Sequence, residues 1–225
     1  MIAIISDIHG NYPALKSVIE EIKKNNISQI ISLGDVAGYY CFINECIELL
    51  RSEKVINIMG NHDYYLTSGT GCPRSYSANF CLEYQKKVIT DINMSWLKKS
   101  VPFLDMQGIS LRHGGWNDPL DEYIYNFAFD EVDGRDEKLF VSGHTHKQCC
   151  IKKSDKEYMN PGSVGQPRDY FSTAAYAIVD DDFNVSLKRV EYSIDEVVKE
   201  MKKRGFQEKI SACLYYGTKI GEVVK

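Results

Sequence analysis

All five histidines of this 225-residue chain fall in short polar clusters, and none lies in a helical pattern or a tail. D-I-H carries Asp7 and His9, G-D-V-A-G carries Asp35, and G-N-H-D carries Asn61, His62 and Asp63; R-H-G carries His113, and G-H-T-H carries His144 and His146. Each cluster alone is weak evidence, because a D-x-H or a G-D is usually a loop turn. Their joint occurrence is the signal. Imidazole and carboxylate together suit borderline divalent ions such as Mn, Fe, Co, Ni or Zn, whereas an all-oxygen set suits Mg or Ca. Asp7, His9, Asp35, Asn61, His113, His144 and His146 are too many ligands for one ion. They point to two ions about 3.5–4 Å apart that share a bridging carboxylate. Two carboxylates set against two dications leave a surplus of about two positive charges, which would dock an anionic phosphoryl group and acidify a bridging water.

Residues so far apart need a scaffold that delivers them to one place. Residues 2 to 6 form a short apolar, β-rich run that stops at D-I-H-G-N, as a buried parallel strand ending in a loop does. Pro13 suits a first helical turn, and Leu15, Val18, Ile19 and Ile22 recur at helical spacing. A strand over 29 to 33, a helix through Ile43, Ile47 and Leu50, and a strand over 55 to 59 complete a β-α-β-α-β run. Parallel sheets place sites at the carboxyl ends of their strands, so the first three clusters lie side by side. Residues 76 to about 99 read as one helix. Strands then dominate: a hairpin over 103 to 113, runs over 138 to 142 and 148 to 153, and two strands within 174 to 190, before a helix from about 194 to 204 and a short tail. No repeat or linker divides the chain, so residues 1 to 225 are expected to form a single domain.

A formal charge of −4 offers no general attraction to nucleic acid or anionic lipid. The amino terminus is apolar for too short a stretch for a secretory signal, and no run approaches the roughly 20 residues of a membrane span. The seven cysteines are odd in number and scattered, which fits reduced thiols and a cytoplasmic protein. Alternation along an extended segment past the end of the 138 to 142 strand would put His144 and His146 on the same side, with Thr145 pointing away. Cys149 and Cys150 then read as small strand residues, at least one of them buried.

The five clusters, in this order, resemble the motifs of the calcineurin-like metallophosphoesterases. M-N-P-G-S-V-G-Q-P-R-D (159 to 169) and Y-S-I-D-E-V-V-K-E-M-K-K-R-G near the carboxyl terminus resemble the small bacterial and archaeal phosphodiesterase branch. The resemblance implies an α/β fold, a four-layer α-β-β-α sandwich of two mixed β-sheets flanked by helices. It implies that Asp7, His9, Asp35 and His146 hold one ion, with Asp35 bridging to a second held by Asn61, His113 and His144. His62, free of metal, would act as general acid while metal-bound hydroxide attacks the P–O bond in line. The implied cofactors are two divalent transition-metal ions, manganese foremost, with iron, nickel, cobalt or zinc as alternatives. The implied partner is a small phosphate ester, with no membrane or obligatory nucleic-acid partner; a phosphodiesterase is the leading activity, and a phosphomonoesterase or a dinucleoside polyphosphate hydrolase the alternative.

Arg168 is expected to face the metals and bind a phosphate oxygen, since its fork matches phosphate. Tyr123 and Asp118, in the segment after His113, are candidate substrate contacts. Two departures stand out. Phosphoprotein phosphatases carry an Asp three residues after the bridging ligand to orient the catalytic histidine, and here that position is Gly38. Asp63, a backbone carbonyl or water is left to orient His62. Relatives in this branch also follow G-Y with G-x-x-P, whereas here Tyr40, Cys41, Phe42 and Ile43 follow Tyr39. Packing is the expected role of Phe42 and Ile43. Two rival readings remain: a scaffold that has lost catalysis, and a local zinc or thiol module built on His144, His146, Cys149 and Cys150.

Overall fold

The computed structural model describes residues 1–106 and 108–222. Its first half alternates as the apolar spacing requires: β1 (Ile2–Ile5), α1 (Tyr12–Lys24), β2 (Gln29–Ser32), α2 (Ile43–Ser52), β3 (Ile56–Asn57) and α3 (Asn61–Ser68). Two further helices follow, α4 (Tyr76–Val88) and α5 (Asp91–Leu97). The single helix expected over 76 to 99 is broken because Ile89 turns extended and the Thr90 side chain accepts from Asn93 N, capping a new helix. The strand-rich half contains β4 (Leu104–Met106), β5 (Ile109–Leu111), β6 (Leu139–Val141), β7 (Cys149–Lys153), β8 (Lys156–Asn160), β9 (Ala174–Val179) and β10 (Val185–Val190), then α6 (Ile194–Lys203) and α7 (Lys209–Ala212). Of the expected hairpin and tail, residue 107 and residues 223 to 225 lie outside the described residues. The sequence reading missed β8, whose first two residues are charged and which runs straight into the glycine-rich segment after it.

Two five-stranded mixed sheets form, in the orders β10-β9-β1-β2-β3 and β4-β5-β6-β8-β7. Strands β1, β2 and β3 run parallel in one, and β5, β6 and β8 in the other. The sheets face each other through Ile4, Ile31, Leu33 and Ile58 on one side and Ile109, Leu111, Val141 and Met159 on the other. Each such side chain contributes roughly 1.5–3 kcal/mol when fully buried. The helices cover the outer face of the first sheet through the largest cluster, which includes Leu15, Ile19, Ile47, Leu82 and Val197. On the second sheet the outer layer is an aromatic segment with a 3₁₀ turn at Phe129–Val132, where Trp116, Phe127 and Phe129 pack on Phe140 and Tyr158. The expected four-layer α/β sandwich is therefore present, with a thin fourth layer.

This architecture aims the carboxyl ends of β1, β2, β3, β5 and β6, which lead into the five polar clusters, at one edge. Backbone bonds zip the loops after β1 and β2 together, His9 N to Asp35 O at 2.8 Å and Tyr40 N to His9 O at 2.8 Å. Gly143 N to His113 O at 2.9 Å joins the loops after β5 and β6.

Candidate metal centre

All seven ligand candidates are buried and converge. Asp7, His9 and His146 form one group and Asp35, His113 and His144 another, with all ligand atoms of a group within 4.8 Å of one another. Asp35 lies between them: its Oδ2 is 3.6 Å from His9 Nε2 and 3.5 Å from His113 Nε2. Its Oδ1 accepts from the backbone N–H of His62 at 2.8 Å, which leaves Oδ2 for the centre. Asp7 is divided the same way. Oδ2 accepts from Ser6 Oγ at 2.6 Å and His144 N at 3.1 Å, while Oδ1 has no hydrogen-bond partner and sits 3.2 Å from His146 Nε2.

The tautomers follow from the far nitrogens. His9 Nδ1 meets Ala37 O at 2.8 Å, His113 Nδ1 meets Leu33 O at 3.0 Å, and His146 Nδ1 meets Gln166 O at 2.6 Å. A carbonyl only accepts, so in each neutral ring Nδ1 carries the proton and Nε2 turns a lone pair inward. His9 Nε2 and His146 Nε2 then face each other at 3.1 Å with no proton between them. His113 Nε2 lies 3.0 Å from Asn61 Oδ1 and 3.2 Å from His144 Nδ1. Acceptors packed against acceptors repel unless a cation lies between them, and this donor set fits divalent metal. Protonation is a poor substitute: burial first, with neighbouring cationic groups, pushes His9 and His146 well below the usual imidazole range and His113 down to about 3. Burial, with the charges of Asp7 and Asp63, raises Asp35 well above the ordinary carboxylate range.

The loop geometry corrects one expectation. His144 and His146 do not sit on extended backbone. They adopt φ of +64° and +60°, and Asp7, His9 and Asp35 are also left-handed, at +54°, +50° and +54°. Such backbone is uncommon outside glycine and collects at functional sites. Asn160 holds the 143–146 loop in this shape, its Nδ2 donating to Gly143 O at 2.7 Å and to Thr145 Oγ1 at 3.1 Å. Neither Cys149 nor Cys150 is buried, contrary to expectation, because β7 is an edge strand. Cys149 is half-buried beside the aromatic cluster and Cys150 is exposed. Neither joins a metal-binding group among the described residues, which removes the local zinc module.

His62 is the second residue of α3, with its ring 4.9 Å from that of His9 and 5.1 Å from that of Tyr39. Asp63 does not orient it. The Asp63 carboxylate accepts from Ala37 N at 2.8 Å and Gly60 N at 3.3 Å, and His62 Nδ1 has no protein partner. Gly38 explains the missing acid: a Cβ there would stand 2.3 Å from His9 Nδ1 and 3.0 Å from His62 Nδ1, at φ +124°. Gln85 of α4 fixes that loop, Oε1 accepting from Gly38 N at 2.8 Å and Nε2 donating to Tyr40 O at 2.7 Å. Burial, then the Arg168 charge and His146, push His62 down to about 3.

Arg168 lines the adjoining cavity with Tyr39 and Tyr123. Its Nη2 donates to Gln166 Oε1 at 2.6 Å and to Tyr39 Oη at 3.3 Å. The Tyr123 ring lies against His144, with centroids 3.8 Å apart. Asp118 is exposed and shapes a turn instead, accepting from Leu120 N at 2.9 Å. Tyr40, Phe42 and Ile43 are buried in the helix-side core, as packing residues. The sequence reading missed Asp121, whose Oδ1 is 3.4 Å from His144 Nε2 and is gripped by Arg74. It also missed Lys219, which lines the cavity from the carboxyl-terminal segment. No local pattern marks either residue. The Asn160–Gln166 segment proves to be a brace: Ser163 Oγ donates to Asp7 O at 2.7 Å and Val164 N to Ser6 O at 2.9 Å.

Comparison with known proteins places this geometry. A family model described as the calcineurin-like phosphoesterase superfamily domain matches residues 1–182. The uncharacterized protein MJ0912 of Methanocaldococcus jannaschii is 34% identical over 96% of this chain and 98% of its own. Phosphodiesterase YfcE of Escherichia coli is 25% identical over 79% of this chain and 85% of its own. A metallophosphoesterase structure from Sphaerobacter thermophilus superposes with a TM-score of 0.84 at 30% identity, covering 96% of this chain and 99% of that one.

Proposed function

The chain belongs to the calcineurin-like phosphoesterase superfamily, whose members are metal-dependent phosphoesterases, and from that premise we propose that it is a two-metal phosphodiesterase acting on a small phosphate ester. The observation that carries the reading is the pair of inward lone pairs at His9 and His146, 3.1 Å apart and each fixed by a backbone carbonyl. In this reading residues 1 to 225 form one metallophosphoesterase domain. Asp7, His9, Asp35 and His146 would hold one ion, and Asp35 would also contribute to a second, which Asn61, His113 and His144 would hold. Bound divalent ions supply charge neutralisation for the phosphoryl oxygens and acidify a water toward neutrality, manganese being the ion we favour.

The residues do the rest. Arg168 binds a non-bridging phosphate oxygen, while Tyr39 and Tyr123 wall the leaving group. His62 is neutral before substrate arrives and donates a hydrogen bond to the leaving oxygen. The incoming phosphoryl anion raises its affinity for a proton, against the pull of burial, and prepares it as general acid. The name of the Escherichia coli relative favours a diester over a monoester. A scaffold role is disfavoured because every ligand and His62 are present. No described helix is long and apolar enough to cross a membrane, and we place the protein in the cytoplasm.

Hydrolysis of bis-p-nitrophenyl phosphate after loading with Mn(II) tests the proposal. Asp35→Asn should abolish turnover by a factor on the order of 10³ or more, since both ions lose their shared ligand. His62→Ala should cost about 10²–10⁴ while metal content stays intact. Full activity in Asp35→Asn would exclude the mechanism.

A further inference from the structure

Beside the ligand cluster, and separated from it by Tyr39, Tyr123 and Gln166, lies a cavity of about 230 Å³ whose walls hold more than hydrolysis of a phosphoryl group requires. Arg168 gives its guanidinium hydrogen bonds to neutral acceptors, Gln166 Oε1 and Tyr39 Oη, and forms no ion pair among the described residues. Lys219 lines the same cavity, likewise without an ion pair among the described residues, and it lies beyond the stretch matched by the family model. The segment that carries Lys219 is fastened across the site: Tyr170 N donates to Gly217 O at 2.9 Å, and Tyr170 Oη to Glu222 Oε1 at 3.1 Å.

Tyr123 and Tyr125 also line the cavity, and with His144 they form a column of three rings. Tyr123 lies against His144, and Tyr125 stacks on Tyr123 with centroids 5.8 Å apart and planes 9° apart. Tyr123 is 40% exposed and Tyr125 54%, values high for aromatics beside a buried cluster. Among the described residues, Ile220 is the only aliphatic side chain on the cavity wall, which leaves no bed for an acyl chain. Smaller than the usual ligand pocket, the cavity suits at most one nucleotide unit and not a length of strand.

We propose that this cavity is a nucleotide subsite: the base stacks on the outer face of Tyr125, extending the column, and a phosphate next to the scissile one sits between Arg168 and Lys219. The inference rests on the phosphodiesterase reading and narrows its substrate class to nucleotides that carry at least two phosphates. The bond broken remains P–O, with water supplying hydroxyl to phosphorus and a proton to the leaving oxygen.

Calorimetry on the Mn(II)-loaded protein compares α,β-methylene-ADP, which resists hydrolysis, with AMP and ribose 5-phosphate. One charge-assisted contact or one stacked base corresponds to about a tenfold change in Kd. We expect α,β-methylene-ADP to bind at least about tenfold tighter than AMP, and AMP about tenfold tighter than ribose 5-phosphate. Lys219→Ala should shrink the first ratio to about threefold or less, and Tyr125→Ala the second; both side chains are exposed, so the fold should tolerate the changes. Either ratio surviving in its variant overturns the inference, because the metals alone would then account for the binding. A thymidine trinucleotide binding tighter than α,β-methylene-ADP overturns it in favour of a nucleic-acid end. Protein that hydrolyses bis-p-nitrophenyl phosphate yet binds all three probes equally keeps the phosphodiesterase reading and loses this one.

Discussion

The two poles of the metal centre use the same residue types and are tied down differently. At the pole of Asp7, His9 and His146, both imidazoles are fixed by backbone carbonyls, and Asp7 is fixed by Ser6 Oγ and a backbone N–H. At the pole of Asn61, His113 and His144, His113 is fixed by Leu33 O, but the far nitrogen of His144 faces a side chain, Asp121, which is itself held by Arg74 and Tyr65 from another segment. A backbone tie cannot be mutated away, whereas a carboxylate on a loop can. If each pole holds an ion, as proposed, the second pole is the one whose metal affinity surface sequence can tune.

The sharpest way to break this contrast is to cut the first pole itself. Asp7→Asn should lower activity by about 10³ or more and reduce bound metal measured by elemental analysis, since no neighbouring carboxylate can replace it. Asp121→Asn should weaken metal binding by only about 10–100-fold, the usual cost of losing a partner behind a ligand. Metal titration should locate that loss at one of two sites. Equal losses at both sites would erase the distinction between the poles.

Gly38→Ala tests whether space, and not chance, explains the absent acid. The new methyl would overlap His9 Nδ1 on left-handed backbone, so thermal denaturation should show a loss of about 1–3 kcal/mol. Gly38→Asp should fail to raise turnover for the same reason.

Acidification probes the cluster without mutation. His62 and His113 are pushed down to about 3, so between about 6.5 and 3 the unfolded chain binds protons that the folded one refuses. The metal-free protein should therefore lose stability as pH falls through that window. Asp63, pushed up to about 7 by burial, acts oppositely: its contribution is present at low pH and lost as pH rises through 7. Asp35, raised by burial and neighbouring carboxylates, acts in the same sense as Asp63; the four depressed histidines outweigh these two carboxyls, and the midpoint temperature of chelator-treated protein should fall on acidification, less steeply in His113→Gln. The smallest effect is expected from changing Cys149 and Cys150 together to Ser, which should leave metal content unaltered.

The difference between the poles also marks what could be read from the chain alone. The β-α-β-α-β half was legible because short apolar runs ended in polar loops, and the ligands stood in those loops. The left-handed turn of His144 and His146 was not, since H-x-H on a strand end reads equally well as extended backbone, and the distant Asn160 decides the matter. Asp121 and Lys219 were hidden for a related reason: each reaches the site by a tertiary contact that no local spacing encodes. Asp63 misled by adjacency, because the first turn of α3 rotates its carboxylate away from the ring of His62 and toward backbone amides.

Five of the candidate ligands stand on left-handed backbone, at a cost of about 1 kcal/mol each relative to a residue at ease there. Function and durability therefore pull against each other at the same positions. Replacing His144 or His146 by Gly should yield a dead protein that melts higher than the metal-free parent. Drift toward such variants would be invisible to any assay that scores folding, and only the demand for turnover holds those histidines in place.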